Sequence, residues 1–304
     1  MKPTRALAFA LAAVTLAAPA VARPPGFAFL EVPAGARAAA LGGAYSSVAR
    51  GAEAAFWNPA GLAQFDGTQF VGTHTETYEH LRHDQVAVAG RMFGGGLSAS
   101  LRAMYSEPIP ERDDLGNLIG TFGSHDLEFL AGYGRKLAGG MSLGFTAQAV
   151  RERVSDLAAS AWAVGAGAAW DLAMLPGSRA SLSVHNLGPS SHYTLEGVQG
   201  DPVKLPAAVQ AGLSLAHGTF SNLNGLLALD ARATTGRKVV LAVGGELDSP
   251  AGAALRFGVR AGDDVASWSA GAGWRSKALR IDYAFVPSRL ELDDTHRFSL
   301  SAGF

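Results

Sequence analysis

The last ten residues, Thr295-His296-Arg297-Phe298-Ser299-Leu300-Ser301-Ala302-Gly303-Phe304, decide how the chain is read. Phe298, Leu300, Ala302 and Phe304 take every second position, and Arg297, Ser299, Ser301 and Gly303 fill the gaps. Successive side chains of a strand point to opposite faces, so this is the period of a β-strand with one apolar and one polar side. The alternation recurs upstream in Leu279, Ile281, Tyr283 and Phe285 against Arg280, Asp282 and Ala284. It recurs again in Leu255, Phe257 and Val259 against Arg256, Gly258 and Arg260, in Leu143 to Ala149, and in Leu97 to Tyr105. Fourteen such runs follow residue 65, starting near 68, 84, 97, 125, 141, 160, 179, 208, 224, 238, 253, 266, 278 and 295.

Composition narrows the function classes. The 304 residues hold 25 Lys plus Arg against 26 Asp plus Glu, a formal charge of -1, which lacks the basic excess of a nucleic-acid binder. The absence of cysteine excludes disulfides, thiolate zinc sites, cysteine nucleophiles and a lipidated N-terminal cysteine. Residues 1–22 read as an export signal: Lys2 and Arg5, an apolar core from Ala6 to Ala18, then Ala20-Val21-Ala22 before Arg23. Pro19 and the shortness of the core argue against a membrane anchor. An even number of amphipathic strands in an exported chain predicts an all-β fold, a closed 14-stranded antiparallel transmembrane β-barrel over residues 66–304 in a bacterial outer membrane. The aromatic Phe304 on the final strand resembles the signal by which outer-membrane assembly machinery recognises its clients, so membrane lipids and that machinery are expected partners.

The uncharged segment Leu157 to Trp170 could pass for a helix, but it is too short to span as one. Read as a strand, it puts Trp162 and Trp170 on one row, separated by roughly 20 Å along the membrane normal at a tilt of about 40°, close to a ~25 Å apolar band. Loop lengths agree with the barrel. Tyr105 to Ser124 and Asn186 to Pro206 belong to the outward connections, whereas Gly94-Gly95-Gly96, Ala138-Gly139-Gly140 and Arg275 to Ala278 are tight inward turns. The pairs Asp113-Asp114, Asp263-Asp264 and Asp293-Asp294 fall in the outward set and read as solvated loop acids.

Energetics fix which row faces lipid. A one-residue slip would move Arg256, Arg260, Arg280, Asp282 and Arg297 into hydrocarbon, at up to ~2 to 4 kcal/mol for each basic group near the midplane. The sum, on the order of 10 kcal/mol, rivals a domain's whole stability. The predicted luminal charges are therefore Arg102, Glu128, Asp230, Arg232, Glu246, Arg256, Arg260, Arg280, Asp282 and Arg297. Their mixed signs point to internal pairing more than to an ion-selective pore.

Residues 23–65 lack the strand period. Gly35 to Tyr45 is rich in Ala and Gly, and Gly51 to Ala63 contains Phe56-Trp57-Asn58-Pro59-Ala60-Gly61-Leu62-Ala63. Small residues permit close packing inside a barrel, and Asn58-Pro59 ends a short helix-like stretch. The run from Gly35 to Ala63, with its Gly-Gly-Ala and Asn-Pro-Ala-Gly-Leu-Ala, resembles the N-terminal signature of the PorV/PorQ family of FadL-like outer-membrane barrels. Ile281 to Pro287, Leu292 to Leu300, Asn186-Leu187-Gly188 and Leu205-Pro206 are similar to its final hairpin and long outward loop. The resemblance implies a fourteen-stranded barrel plugged by an N-terminal hatch. It also implies either passage of hydrophobic compounds or type IX secretion, in which cargo is carried to the surface. This chain departs from the secretion shuttle in its compact outward loops.

Enzyme motifs fail one by one. His74, His80 and His83 with Glu76 and Glu79 fall where the first outward loop is expected and read as solvated. Gly212 to Ala216 misses the last position of a nucleophile elbow, Gly165-Ala166-Gly167 lacks the third glycine of a dinucleotide site, and Asp113 to Gly120 lacks the bidentate Glu of a calcium loop. No catalytic residue, metal or cofactor is expected. Three functions are carried forward. One is a transport barrel for hydrophobic small molecules, with Phe56, Trp57, Asn58, Pro59 and Gly61 as hatch and ligand residues. The others are a secretion-associated barrel that binds cargo or secretion partners through its outward loops, and a soluble secreted all-β protein.

Overall fold

The computed structural model describes residues 25–77, 81–173, 175–220, 223–290 and 293–303. The export signal over 1–22, Glu79, His80 and the terminal Phe304 lie outside the described residues. The strands are β1 (Thr68–Glu76), β2 (Arg82–Met92), β3 (Gly95–Tyr105), β4 (Ile109–Arg112), β5 (Leu118–Phe122), β6 (Ser124–Lys136), β7 (Met141–Val154), β8 (Leu157–Asp171) and β9 (Ser178–Leu187). They continue with β10 (Ser191–Leu195), β11 (Val198–Val203), β12 (Ala208–Phe220), β13 (Leu223–Thr234), β14 (Val240–Asp248), β15 (Ala253–Ala261), β16 (Trp268–Arg275), β17 (Leu279–Val286) and β18 (Thr295–Gly303).

One sheet contains sixteen of these, and fourteen of them form a ring: β1 pairs with β18, β8 pairs with β9, and every neighbour between is antiparallel. The fold is thus an all-β closed 14-stranded antiparallel barrel. Each expected run maps onto one ring strand. β10 and β11 hang from β8, and β4 with β5 forms a separate two-stranded sheet. A closed ring has no open edge, so every strand finds partners on both sides. Two stacked sheets, as a soluble sandwich would have, are not what these strands build.

Burial follows the two-residue period. In β15 Leu255, Phe257 and Val259 are exposed while Arg256 and Gly258 are buried between them, and β18 exposes Phe298 and Leu300 around buried Arg297, Ser299 and Ser301. The outer wall carries the large apolar side chains and the inner row the small and polar ones, the inverse of a soluble domain and the arrangement a hydrocarbon solvent demands.

Two expectations about the connections need correction. The link between β7 and β8 lies on the end with the longer loops, yet it has only two residues, Ser155 and Asp156. These two strands are the longest, with 14 and 15 residues, so their hairpin extends past the rim and needs no loop. The triple-glycine turn is in fact Phe93-Gly94, with φ of 52° and 74°, because a two-residue turn that matches strand twist requires left-handed backbone at both positions; Gly95 and Gly96 already belong to β3.

If the outward row lies in hydrocarbon, Val243→Arg, mid-strand in β14, lowers unfolding stability by about 2 to 4 kcal/mol while Val243→Leu stays within about 1.5 kcal/mol. Urea titration in lipid bilayers followed by tryptophan fluorescence measures both, and an unshifted Arg variant would place that row in water.

Candidate functional site

The lumen is filled by residues 25–65. Short turns Ala28–Glu31, Gly51–Glu53 and Pro59–Gln64 and two helical stretches, Ala36–Ala40 and Ala54–Trp57, fold into a compact insert. Its backbone approaches the wall too closely for side chains in between. A β-carbon at Gly134 or Gly144 would overlap the Pro59 carbonyl, one at Gly167 the Asn58 carboxamide, and one at Gly244 or Gly258 the Leu41–Gly42 backbone. The inward glycines are therefore a seat, and their partners in the insert are small for the same reason.

Wall polar groups satisfy the backbone groups that such short elements leave open. Ala36 N–H donates to Ser299 Oγ at 2.8 Å, Ser46 N–H to Asp230 Oδ2 at 3.0 Å, and Ser269 Oγ to the Ala40 carbonyl at 3.1 Å. Two wall arginines clamp the extended stretch that follows the first turn: Arg102 Nη1 donates to the Val32 carbonyl at 3.1 Å and Arg297 Nη1 to the Pro33 carbonyl at 2.5 Å. Arg102 also pairs with Glu128 at 2.6 Å and lies over the Phe29 and Phe56 rings, 5.8 and 5.2 Å from their centroids.

The predicted luminal charges all sit on the inward row. Arg102 faces Glu128 across adjacent strands, and Glu246 faces Arg256. Arg256 reaches Asp282 at 2.9 Å and Arg280 reaches Asp282 at 2.7 Å, while Arg260 binds the loop acid Asp263 at 3.0 Å. Asp230 accepts from Ser46, and Arg232 makes no ion pair among the described residues. Sequence reading missed Arg37, which donates to Glu246 at 2.5 and 2.8 Å and so ties the insert into this network. A lone basic residue in an Ala-rich run carried no periodic signal.

The predicted hatch residues come together. Trp57 is buried, donates through Nε1 to the Ala34 carbonyl at 3.0 Å and meets Tyr45 edge-on at 5.7 Å. Asn58 caps the following turn by accepting from Ala60 N–H at 3.0 Å and donates to the Ala168 carbonyl at 3.1 Å. Pro59 is buried and starts that turn, and a β-carbon at Gly61 would strike the Ala49 carbonyl. Phe56 borders a small cavity of about 30 Å³, room for one or two waters, bounded by Leu30, Pro33 and Trp57 on the insert and by Arg102, Leu130, Gln148, His185 and Arg232 on the wall.

The seam beside this cavity is irregular. β9 pairs with β8 only as far as Leu187 and Val164, with a register shift there, so Leu157–Ala163 has no β9 partner. Asn186, at φ 57°, turns β9 away, held by Gln148 and by the Pro206 carbonyl. The β10–β11 hairpin covers the gap, with Ser191 Oγ donating to the Ser160 carbonyl at 2.6 Å, and its Tyr193 ring stacks on Phe27, 6.4 Å between centroids. Of the histidines expected in the first outward loop, His74 and His83 lie in strands instead. His74 points outward and binds Asp84 at 2.6 Å, whereas His83 is buried on the inner face, because the register places them one residue out of phase.

The family described as an uncharacterised protein family, UPF0164, matches residues 8–151. No curated protein matches the chain by sequence. Among solved structures it is similar to CymD, a monoaromatic hydrocarbon channel, with 14% identity, 90% of this chain and 98% of that one covered and a TM-score of 0.60. It is also similar to the Pseudomonas putida toluene transporter TodX, with 12% identity, 87% and 95% covered and a TM-score of 0.59. A Pseudomonas aeruginosa FadL homologue aligns at 14% identity over 90% and 98%, with a TM-score of 0.50. At these identities the likeness is one of fold.

Two predictions follow from the seat. Gly144→Leu places side-chain atoms where Pro59 runs, so the barrel keeps its heat-modifiable mobility while the insert becomes open to limited proteolysis. Burial pushes the Glu53 carboxyl up to about 7; Asp282 adds to the rise, and Arg280 and Arg37 oppose it. Between pH 4.5 and about 7 the packed insert holds a proton that the unfolded chain has lost, so its stability falls as pH rises through that window. The change is at most about 3 kcal/mol. Glu53→Gln cannot ionise and flattens the slope in thermal melts recorded from pH 4 to 8.

Proposed function

We propose that the chain is a non-enzymatic outer-membrane barrel of the PorV/PorQ type, exported by its N-terminal signal, that passes hydrophobic small molecules across the membrane past the N-terminal insert acting as a hatch. The observation that carries this reading is the irregular β8–β9 seam of the wall beside the insert. The small cavity there has apolar contacts from Leu30, Phe56, Trp57 and Leu130 and polar groups from Arg232 and His185, and it widens to admit an apolar molecule only when the insert shifts. The irregular β8–β9 seam lies against the same part of the lumen and is closed by a hairpin rather than by a full ladder, so it is the stretch of wall that opens at least cost. CymD is a monoaromatic hydrocarbon channel and TodX a toluene transporter, which favours an apolar cargo. Outer-membrane lipids and, through the C-terminal strand ending in Phe304, the barrel assembly machinery are the partners of this reading.

Trp57→Ala removes the indole that closes the inner side of the cavity. It changes cellular uptake of a radiolabelled hydrophobic compound such as toluene, measured against a strain lacking the protein. Unchanged uptake at equal protein level would remove the gate role from this corner.

A second reading, a secretion-associated barrel that holds cargo or secretion partners, is favoured by one feature. Among the described residues the β4–β5 hairpin pairs with no other strand, and it exposes Leu115, Leu118 and Ile119, while Asp113 braces its turn by accepting from the Leu115 and Asn117 backbones. Deleting residues 109–122 then abolishes protein co-purification while leaving hydrophobic uptake intact; the reverse result favours transport.

A further inference from the structure

The outer wall is not uniformly filled. On the outward rows of β13 and β14, Gly225 and Gly245 stand where neighbouring positions carry Leu227, Leu229, Leu241, Val243 and Leu247. A β-carbon at Gly245 would meet nothing within 4 Å, and one at Gly225 only the tip of Leu247, at 4.0 Å. Since neither glycine has a positive φ, backbone conformation does not demand them. Their missing side chains leave a groove of about 860 Å³, counting its open side, walled by Leu215, Leu227, Leu247, Leu255 and Phe257.

The groove belongs to the half of the barrel nearer the chain termini. Leu247 and Leu255 flank the Ser249–Gly252 turn, which lies on the same end as Thr68 and Gly303. The next strand puts Trp274 opposite Ala253, exposed at this rim as an interfacial aromatic is. Arg275 follows it, its backbone bonded to the same turn through Gly252, and Lys277 comes two residues later. Neither side chain makes an ion pair among the described residues, whereas Arg91 and Arg179 at that rim are paired with Asp66 and Asp171.

An apolar groove on a hydrocarbon-facing row, below an interfacial tryptophan and two cations without ion-pair partners among the described residues, matches one occupant in shape and charge. We infer that it is a specific phospholipid site, in which an acyl chain lies along Gly225 and Gly245 and an anionic headgroup of the leaflet nearer the termini meets Arg275 and Lys277. The inference is independent of what crosses the lumen, because it uses only the outer wall.

Native mass spectrometry of the delipidated full chain in mild detergent, titrated with dioleoyl phosphatidylglycerol, tests it. One lipid is expected to bind saturably. Gly245→Leu, whose β-carbon has open space around it and whose side chain reaches into the groove, should weaken that binding at least tenfold. Gly72→Leu adds the same bulk to an outward glycine of β1 that also has open space around it, and should leave binding unchanged. Arg275→Ala with Lys277→Ala should remove the preference for phosphatidylglycerol over phosphatidylcholine. Glycerophosphoglycerol, which has the headgroup but no acyl chains, should not bind, a result the wild-type protein alone supplies. Equal binding by the Gly245 and Gly72 variants, or non-saturable uptake by the wild type, would overturn the assignment. So would a dimer of the wild type that Gly245→Leu dissolves, since the groove would then be a contact between two copies.

Discussion

A ring of fourteen strands encloses more space than its own inward side chains occupy, and the rest of the structure follows from how that space is filled. In water a void of this kind would be wetted. Here the chain supplies about forty of its own residues, and the fit rests on backbone meeting backbone across glycine. Gly134, Gly144 and Gly167 receive the Asn58–Pro59 corner, and Gly244 and Gly258 receive the turn at Leu41–Gly42. Close approach of main chains leaves no room for water to satisfy peptide groups, so the wall must provide donors and acceptors at fixed places. Ser299, Ser269, Asp230, Arg102 and Arg297 do this from four different parts of the ring.

The same constraint explains why charges are tolerated inside. Glu246 is shared by Arg256 of the next strand and Arg37 of the insert, and Asp282 is shared by Arg256 and Arg280. Such buried networks add little net stability compared with apolar packing, but removing one member strands the others at several kcal/mol. Their physical effect is register: the insert fits in one position, the one that brings Arg37 to Glu246. Glu53 is carried into this region on the insert by a 3₁₀ turn, and its burial there is the main cause that raises its carboxyl to about 7.

The wall is least regular in one sector. The cavity lies between Phe56 and Arg232, beside the stretch of β8 that β9 abandons at Asn186. A ladder is lost there and replaced by a short hairpin, so the wall has its weakest hold beside the small cavity left by the insert. That coincidence, more than any single residue, gives the transport reading its physical basis.

Strand number, the lipid-facing row and the inward set of charges were legible from the sequence, because a two-residue period is local and a one-residue slip would put several arginines into hydrocarbon. Ring closure by β1 and β18 follows from the same pattern. The corner of the insert at Trp57 to Pro59 was legible as a break in that pattern but not in its contacts. Arg37 with Glu246 spans 209 residues, and Ala36 with Ser299 spans 263. No period relates such positions, so the seat of the insert, the seam at Asn186 and the bare patch at Gly245 were decided only when the sheet curved round and brought distant segments into register.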